Sequence, residues 1–374
     1  MGPLNGITVI ELEAIGPVPM CGMLLGDLGA EVIRVDRPGG SGDPLRTLMG
    51  RNRRSVAVDL KHPEGAGVVL RLAAGADVLI EGMRPGVAER LGVGPDRCLA
   101  ANRRLVFGRM TGWGQRGPLA STAGHDIVYI AVAGALHGIG SGVAPPPPPL
   151  NLVGDFGGGA LYLTVGVLAA LLERDRSGTG QVVDAAMIDG VSSLLTMFHE
   201  LSAMGLWSEQ RGSNLLDGGA PFYTTYPTAD GRFVAVGALE PPFFAALVEG
   251  LGLEGEIPAQ HDRSGWPEMR RRFAERFASR TRADWEEVFA GSDACVAPVL
   301  TMREAKDHPQ VAGRGGYVEV GGVHQPAPAP RFSRSVPTRP TPAVDPGADT
   351  DEVLARFGFS ADEIVALRTA GVVA

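Results

Sequence analysis

The sequence predicts an α/β protein with a doubly wound parallel sheet and a second, smaller α+β domain. Short β-branched runs alternate with helical stretches over residues 7–109, which is typical of a parallel sheet covered by helices. The chain has 374 residues, more than one hydrophobic core usually supports. Its composition changes over residues 207–219, where we expect a domain boundary.

The amino-terminal part begins with a βαβ unit. An apolar run at 7–12 is followed by a helical stretch at 20–28, a glycine at position 29 and a β-branched run at 31–36. Further strands are expected at 55–60, 77–81 and 105–109, with a helix over 63–74. A second apolar helix is expected after Asp155, reaching about Arg174, and another buried helix from Asp184 to Asp189 and beyond.

The remainder reads as a small domain, a linker and two terminal helices. Strands are expected at 222–226 and 231–236, and helices at 242–251 and 266–278. Ser360 followed by Glu363 is a capping-box pattern that opens the last helix. The predicted organisation is a large domain at 1–195, a linker at 196–221, a small α+β domain at 222–320, a proline-rich linker at 321–346 and carboxy-terminal helices at 347–374.

Composition and charge exclude several classes of function. A net charge of −8 disfavours nucleic acid and anionic membranes as partners. Cys21, Cys98 and Cys295 are far apart, which indicates neither disulfides nor zinc and fits a reducing cytoplasmic location. The apolar stretch at 160–172 is expected to be too short for a membrane span, and no signal peptide is expected. The turn at 14–19 lacks the glycine pattern of dinucleotide binding, and histidine spacing indicates no metal.

Three ionisable residues lie beside glycine-rich or strand-end segments. His125 stands in Gly124-His125-Asp126, Asp155 in Asn151-Leu-Val-Gly-Asp155-Phe-Gly-Gly-Gly, and Glu240 after a strand-like run. Imidazole titrates near neutral pH, and an aspartate becomes a stronger base when it is desolvated. Together they indicate two-base proton transfer, with backbone N–H groups near Asp155 for an enolate. Helix capping is the structural alternative for the aspartates, and a solvated strand end is the alternative for Glu240.

A basic patch follows the second predicted strand. Asp36-Arg37 is succeeded by Arg51, Arg53, Arg54 and Lys61. Arginine side chains bind phosphates as bidentate donors, so the patch indicates either a phosphate site or a solvated basic loop.

Nearly the whole chain resembles the α-methylacyl-CoA racemases of the class III CoA-transferase superfamily. The matching stretches are EVIRVDRP at 31–38, DLK at 59–61, RMTGWGQ at 109–115, GHDI at 124–127, PLNLVGDF at 149–156, GQVVDA at 180–185, LDGGAPFY at 216–223, VGALEP at 236–241, DACVAP at 293–298 and DEVL at 351–354.

The resemblance implies specific roles. His125 and Asp155 would be the two acid/base residues, and Glu240 would pair with the imidazole. No cofactor or metal is implied, because CoA is part of the 2-methylacyl-CoA substrate. Val128 stands where family members carry Asn, so only backbone contact is expected there. The residues implied for CoA and substrate binding are Arg37, Val58, Asp59, Leu60, Lys61, Arg90, Gly124, Asp126, Ile127, Val128 and Tyr129.

The resemblance also implies an assembly. The family fold is an interlocked homodimer of ring-like subunits, each with a Rossmann-like large domain closed by the carboxy-terminal segment. Glu240 would then reach the imidazole across the subunit interface. Two other functions stay open: CoA transfer with Asp155 as covalent nucleophile, and acyl-CoA binding without catalysis. The acyl chain is not specified, and Met197, Met204, Phe222 and Tyr223 are candidates either for its pocket or for core packing.

Overall fold

The computed structural model describes residues 1–40, 49–336 and 339–374. The chain forms two compact units. Unit 1 holds residues 1–133, 149–195 and 315–374, and unit 2 holds residues 134–148 and 196–314. Pro337 and Thr338 of the predicted proline-rich linker lie outside the described residues. The domain boundaries drawn from the sequence stay predictions.

Unit 1 contains a six-stranded sheet with the order β3-β2-β1-β4-β5-β6. Every pairing in it is parallel. The strands are β1 (Thr8–Leu12), β2 (Glu31–Asp36), β3 (Arg53–Ala57), β4 (Val78–Glu81), β5 (Val106–Thr111) and β6 (Val182–Ala186). This order is doubly wound and reverses between β1 and β4, so a ligand is expected beyond the carboxyl ends of the strands there. The predicted Rossmann-like α/β fold is confirmed.

Helices surround this sheet, and unit 2 contains helices as well. Unit 1 begins with α1 (Pro17–Asp27), α2 (Gly65–Ala74), α3 (Val87–Arg90), α4 (Pro95–Ala101), α5 (Asp126–Val132), a π-helix (Leu152–Ala160), α6 (Leu161–Ser177) and α7 (Met187–Leu194). Unit 2 has α8 (Thr196–Ala203), α9 (Pro241–Leu251), α10 (Trp266–Phe277), α11 (Arg282–Val288), α12 (Met302–Ala305) and α13 (Pro309–Gly313). Unit 1 ends with α14 (Thr350–Arg356) and α15 (Ala361–Thr369).

Both faces of the large sheet are covered. Val9 belongs to a buried cluster with residues of α1 and α6, whereas its neighbour Ile10 belongs to a cluster with residues of α2 and α14. Alternate residues of a strand face opposite sides, so strands buried on both sides become continuous apolar runs. The capping box predicted at α15 is confirmed: Ser360 Oγ accepts from the Glu363 N–H at 3.2 Å, and a Glu363 carboxylate oxygen accepts from the Ser360 N–H at 2.7 Å.

Two sequence expectations about helices were wrong. Asp184 lies in β6, where it pairs with Arg109 of β5, and the helix begins only at Met187. The apolar helix is also longer than expected, because the π-helix and α6 form one helix of 26 residues from Leu152 to Ser177. Its length and composition would allow it to cross a membrane, yet Leu163 and Val167 pack into the core of the sheet domain. This packing is typical of a core helix, which can be as long and as apolar as a helix that spans a membrane.

Unit 2 is built on a small antiparallel sheet. Its strands β7 (Tyr223–Pro227), β8 (Phe233–Gly237) and β9 (Val296–Pro298) run in the order β7-β8-β9. Phe222, Phe273, Phe277 and Trp285 are fully buried against it. Phe222, a candidate for an acyl-chain pocket, is therefore a core residue that packs edge-on against Trp266. Unit 1 also has a hairpin of β10 (Tyr317–Val320) and β11 (Val323–Pro326).

Candidate active site

His125 is the N-cap residue of α5, at the end of the loop that follows β5. Its backbone is extended, with φ of −134° and ψ of 171°, and its side chain makes no capping hydrogen bond to α5. The residue is exposed. The imidazole is therefore available to a ligand rather than engaged with the start of its own helix.

Asp155 lies in the first turn of the π-helix. One of its carboxylate oxygens, Oδ2, accepts a hydrogen bond from the Asn151 side-chain amide at 3.1 Å. Its backbone N–H donates to Oδ2 of Asp126 at 2.7 Å. Backbone N–H groups around Asp155 were expected to be free for an enolate. For Asp155 itself this expectation was wrong, because its N–H already donates to Asp126.

The surroundings of Asp155 favour its protonated form. Burial raises the pKa of the carboxyl group, and the negative charge of Asp126 raises it further. The hydrogen bond from Asn151 and the charge of His125 act in the opposite direction and lower this pKa. Since a charge acts mainly at short range, His125 and Asp155 belong to one electrostatic site in unit 1. A raised pKa makes the carboxylate a stronger base.

Glycines bring the backbone against these carboxylates. Gly16, at the start of α1, has a φ of +69°, and a Cβ there would lie 3.2 Å from Asp155 Oδ2. A Cβ on Gly154 would lie 2.5 Å from Asp126 Oδ2. Gly16 therefore provides both a left-handed turn and a close approach. The turn between β1 and α1 lacks the glycine pattern of dinucleotide binding. Its Gly16 packs against Asp155 instead.

Tyr129 is held inside α5 and its flanking loops. Its ring packs edge-on against Trp113, with centroids 4.9 Å apart, and a Cβ on Gly112 or Gly124 would collide with it. Burial raises the pKa of the phenol, and the charge of Asp155 adds to this effect. The Tyr129 ring is thus packed in the part of unit 1 where the charge of Asp155 is felt.

Several of the residues implied for CoA binding follow β2, β3 and β4 in the chain. Arg37 comes directly after β2, and its side chain is 80% exposed with its Nε 3.6 Å from the Glu13 carboxylate. Asp59 accepts the Lys61 N–H at 2.9 Å, which shapes the turn after β3 that also holds Leu60. Arg90 is the last residue of α3 and is exposed. These groups therefore share the edge of the sheet where its ligand is expected.

Two segments of the implied CoA site differ in exposure. The Val58 side chain is buried and its backbone forms a bridge to Val373. Val58 can therefore contact a ligand only through main-chain atoms. Ile127 and Val128 on α5 are 41% and 43% exposed, which leaves two apolar side chains next to His125.

Arg51, Arg53 and Arg54 of the basic patch are engaged in ion pairs, so they form neither a phosphate site nor a solvated loop. Arg53 pairs with Glu11 at 2.8 Å and Arg51 pairs with Asp27 at 2.5 Å, all four side chains being buried. Arg54 pairs with Glu352 and is only partly exposed. For these three arginines the expectation was wrong, because carboxylates from β1, α1 and α14 pair with them. Lys61 is the member of the patch that stays in the ligand-facing turn.

Glu240 lies in unit 2. It is the exposed N-cap residue of α9, three residues beyond the end of β8, and makes no capping hydrogen bond. Gln260 fixes the backbone just before it by donating to the carbonyl oxygens of Ala238 and Leu239, the latter at 2.8 Å. The charge of Glu240 helps to raise the pKa of the Cys295 thiol, for which burial is the main cause. The Glu240 carboxylate therefore has no hydrogen-bond or ion-pair partner among the described residues, and it stands on a well-anchored turn.

Unit 2 also contains an apolar cavity of about 230 Å³. Its walls are Leu201, Leu206, Trp207, Leu215, Leu216 and Trp266, with His261 and Arg263 as polar members. Met197, Met204, Phe222 and Tyr223, the residues considered for an acyl-chain pocket, are not among them. Met197 and Met204 are exposed instead.

Sequence reasoning missed two residues of the site. Asn151 was quoted only as part of a motif, yet its position four residues before Asp155 is the spacing at which helical side chains meet. Gly16 was examined only for nucleotide binding. Its contact with Asp155 joins segments about 140 positions apart in the sequence, and no local pattern reports such a contact.

The fold and site define a class of proteins. The sequence pattern of CoA-transferase family III matches residues 4–351, and the chain belongs to that family. A solved CAIB/BAIF family protein from Brucella suis has the same fold, with a TM-score of 0.83 at 25% identity over 95% of this chain and 99% of that one.

Closer relatives carry a particular name. The chain is 48% identical to alpha-methylacyl-CoA racemase of Mus musculus, over 99% of this chain and 97% of that protein. It is 46% identical to alpha-methylacyl-CoA racemase of Homo sapiens, over 98% and 96%. The resemblance stated from the sequence motifs is therefore confirmed.

Proposed function

We propose that the protein is an isomerase that racemises 2-methyl-branched acyl-CoA thioesters by 1,1-proton transfer. The observation that carries the proposal is that an exposed His125 acts through its charge on an Asp155 carboxyl group whose pKa is raised by burial, both residues lying in unit 1. The names of the relatives at 46% and 48% identity support the same substrate class.

In the proposed reaction one base removes the α-proton and the other acid returns a proton to the opposite face. The electron pair of the broken C–H bond moves into the thioester to give an enolate and returns to carbon when the new C–H bond forms. His125 and Asp155 exchange roles between the two enantiomers, so the pair must change protonation state after each turnover. No electron acceptor is consumed, and we propose that no cofactor or metal takes part.

The enolate oxygen needs hydrogen-bond donors. The Asp155 N–H is engaged with Asp126, so we propose that backbone N–H groups within the segment 124–129 serve instead. The N–H groups of Val128 and Tyr129 already donate to the carbonyl oxygen of His125 at 2.8 and 3.2 Å, so the donors for the enolate would be the N–H groups at the very start of α5, next to His125. The same segment would contact CoA, together with Arg37, the turn from Asp59 to Lys61, and Arg90.

We also propose that the active form is a homodimer in which Glu240 pairs with the partner subunit's His125. Unit 1 presents an apolar stripe on α6, where Leu161, Val165 and Leu172 are 49%, 64% and 69% exposed. Their spacing of four and seven residues places them on one side of the helix, and such a stripe is typical of an interface. Light scattering after size exclusion tests the dimer, and an active monomer would contradict it.

The test of the reaction is proton NMR in D₂O with one enantiomer of a 2-methylacyl-CoA. We expect exchange of the α-proton together with inversion, without any added acceptor acid. His125→Ala and Asp155→Ala should each lower the rate by about 10² to 10⁴ while CoA affinity, measured by calorimetry, stays nearly unchanged. Inversion at the full rate in either variant would refute the two-base assignment.

The family name supports a second candidate, CoA transfer. Asp155 would then attack the thioester carbonyl, the C–S bond would break, and CoA thiolate would leave a mixed anhydride on the enzyme. That chemistry needs no second base on the opposite face, so it does not use His125. A stable α-proton together with acceptor-dependent CoA exchange would establish transfer and exclude racemisation.

A further inference from the structure

Asp126 lies between the two proposed bases and is 7% exposed. It follows His125 directly and is the first residue of α5. Its Oδ2 accepts the backbone N–H of Asp155 at 2.7 Å. Its Oδ1 is buried and accepts no hydrogen bond from the described residues. Asp126 is thus joined to His125 by a peptide bond and, through its carboxylate, to Asp155 by a hydrogen bond.

This arrangement has a cost in folding free energy. A buried carboxylate oxygen without a partner loses its hydration and gains nothing in return. The start of α5 compensates part of the charge, since helix N-termini favour anions. Asparagine has the same shape and offers an acceptor oxygen without the buried charge. A structural link between α5 and the π-helix therefore does not require a carboxylate.

We propose that Asp126 is a positioning residue of the two-base site, which fixes the π-helix turn bearing Asp155 relative to His125. This inference rests on the proposed function. The link is tight because Gly154 brings the π-helix backbone against the Asp126 carboxylate, where a Cβ would lie only 2.5 Å from Oδ2.

The charge of Asp126 gives the link an electrostatic consequence. The groups that act on Asp155 are Asn151 on its own helix, and His125 and Asp126 at the start of α5. Asp155 in turn raises the pKa of the Tyr129 phenol in α5. Asp126 carries a negative charge next to Asp155 and raises the pKa of that carboxyl group. Removing the charge lowers this pKa, so the acid limb of the pH–rate profile moves to lower pH. A residue that only supported the fold would not move that limb.

The experiment compares Asp126→Asn, Asp126→Ala and wild type, with Asp96→Asn as control. Asp96 is an exposed aspartate in the first turn of α4, so the control makes the same chemical change at a similar helix position. The readouts are kcat and KM for inversion of a 2-methylacyl-CoA between pH 4 and 9, and α-proton exchange in D₂O.

For Asp126→Ala we expect kcat to fall about 10²-fold, as for a misplaced catalytic group, with KM changed less than about threefold. Asp126→Asn keeps an acceptor oxygen, so its kcat should fall only about tenfold while its acid limb moves to lower pH. The control should match wild type. If Asp126→Ala does not fold, the isosteric Asp126→Asn carries the test.

Two results would overturn the positioning role in an active enzyme. An Asp126→Asn variant with wild-type kcat and an unmoved acid limb would show that the charge is unimportant. A raised KM at constant kcat would make Asp126 a substrate-binding residue only. If wild type itself neither exchanges nor inverts the α-proton, the proposed function fails first and the positioning role fails with it.

Discussion

Replacing Asn151 should change the acid side of the pH–rate profile in a graded way. The Asn151 side-chain amide donates to Asp155 Oδ2 at 3.1 Å and lowers the pKa of that carboxyl group against the effect of burial. Asn151→Ala removes this donor, and Asn151→Asp replaces it with a second negative charge. Both changes raise the pKa of Asp155, so both shift the acid limb to higher pH, the second more than the first.

The size of the effect follows from the geometry. A hydrogen bond to a charged group contributes about 1.5 to 3 kcal/mol, and the lower end applies because Asn151 is exposed. Asn151→Ala should therefore lower activity about tenfold at a pH below the acid limb. Two carboxylates about 4 Å apart repel by about 4 kcal/mol at an effective dielectric constant of 20. Allowing for screening by water, Asn151→Asp should lower activity there by about 10² or more.

The assay is kcat/KM for inversion measured across the acid limb, with Asn5→Ala as control. Asn5 is an exposed asparagine before β1, so this variant should follow the wild-type profile. The reasoning would be refuted if Asn151→Asp kept the wild-type acid limb, or if Asn151→Ala shifted it to lower pH. Thermal unfolding of each variant checks that the fold is unchanged.

Two further predictions concern stability and are checked by chemical denaturation. Arg53→Ala should destabilise unit 1 by about 3 to 5 kcal/mol, because it leaves the fully buried Glu11 unpaired. The neighbouring Arg54→Ala should cost about 1 kcal/mol or less. Equal losses of stability in the two variants would contradict the assignment of the buried pair. Gly190→Ala should abolish soluble folded protein, since its Cβ would lie 1.9 Å from a backbone oxygen of the π-helix. In the control Gly67→Ala, on α2, the new Cβ meets no atom within 4 Å, and this variant should stabilise the protein by about 0.5 to 1 kcal/mol. A stable Gly190→Ala protein would contradict the close packing.

Much of the fold could be read from local patterns. The strand at Glu31–Asp36 was predicted with its observed bounds, because a β-branched run between a glycine and a charged turn has few alternatives. The Ser360 capping box was equally local. The errors fell where tertiary packing decides. Asp184 joins β6 because the edge of β5 is there to pair with it, and β-pairing is a long-range interaction that a helical pattern does not exclude.

The same division applies to the candidate site. His125, Asp155 and Glu240 stand at the termini or in the first turns of helices, positions that glycine or proline neighbours signal in the sequence. The partners that set their chemistry do not stand out in this way. Arg51 and Arg53 looked like free cations because the carboxylates that neutralise them, Asp27 and Glu11, come from other elements.

Racemisation places a condition on the two bases that transfer does not. In a reaction that runs equally in both directions, each base must accept the proton that the other gave up, so their proton affinities should be close. Free aspartate is far more acidic than imidazole. Burial and the charge of Asp126 raise the pKa of Asp155 above that of a free aspartate, while the hydrogen bond from Asn151 lowers it. A covalent nucleophile would need an ionised carboxylate but no partner of matched basicity. An exposed histidine whose charge acts on a carboxyl group with a raised pKa supplies the two acid/base groups that proton exchange between two faces needs, and this is why racemisation, rather than transfer, is the function proposed for this site.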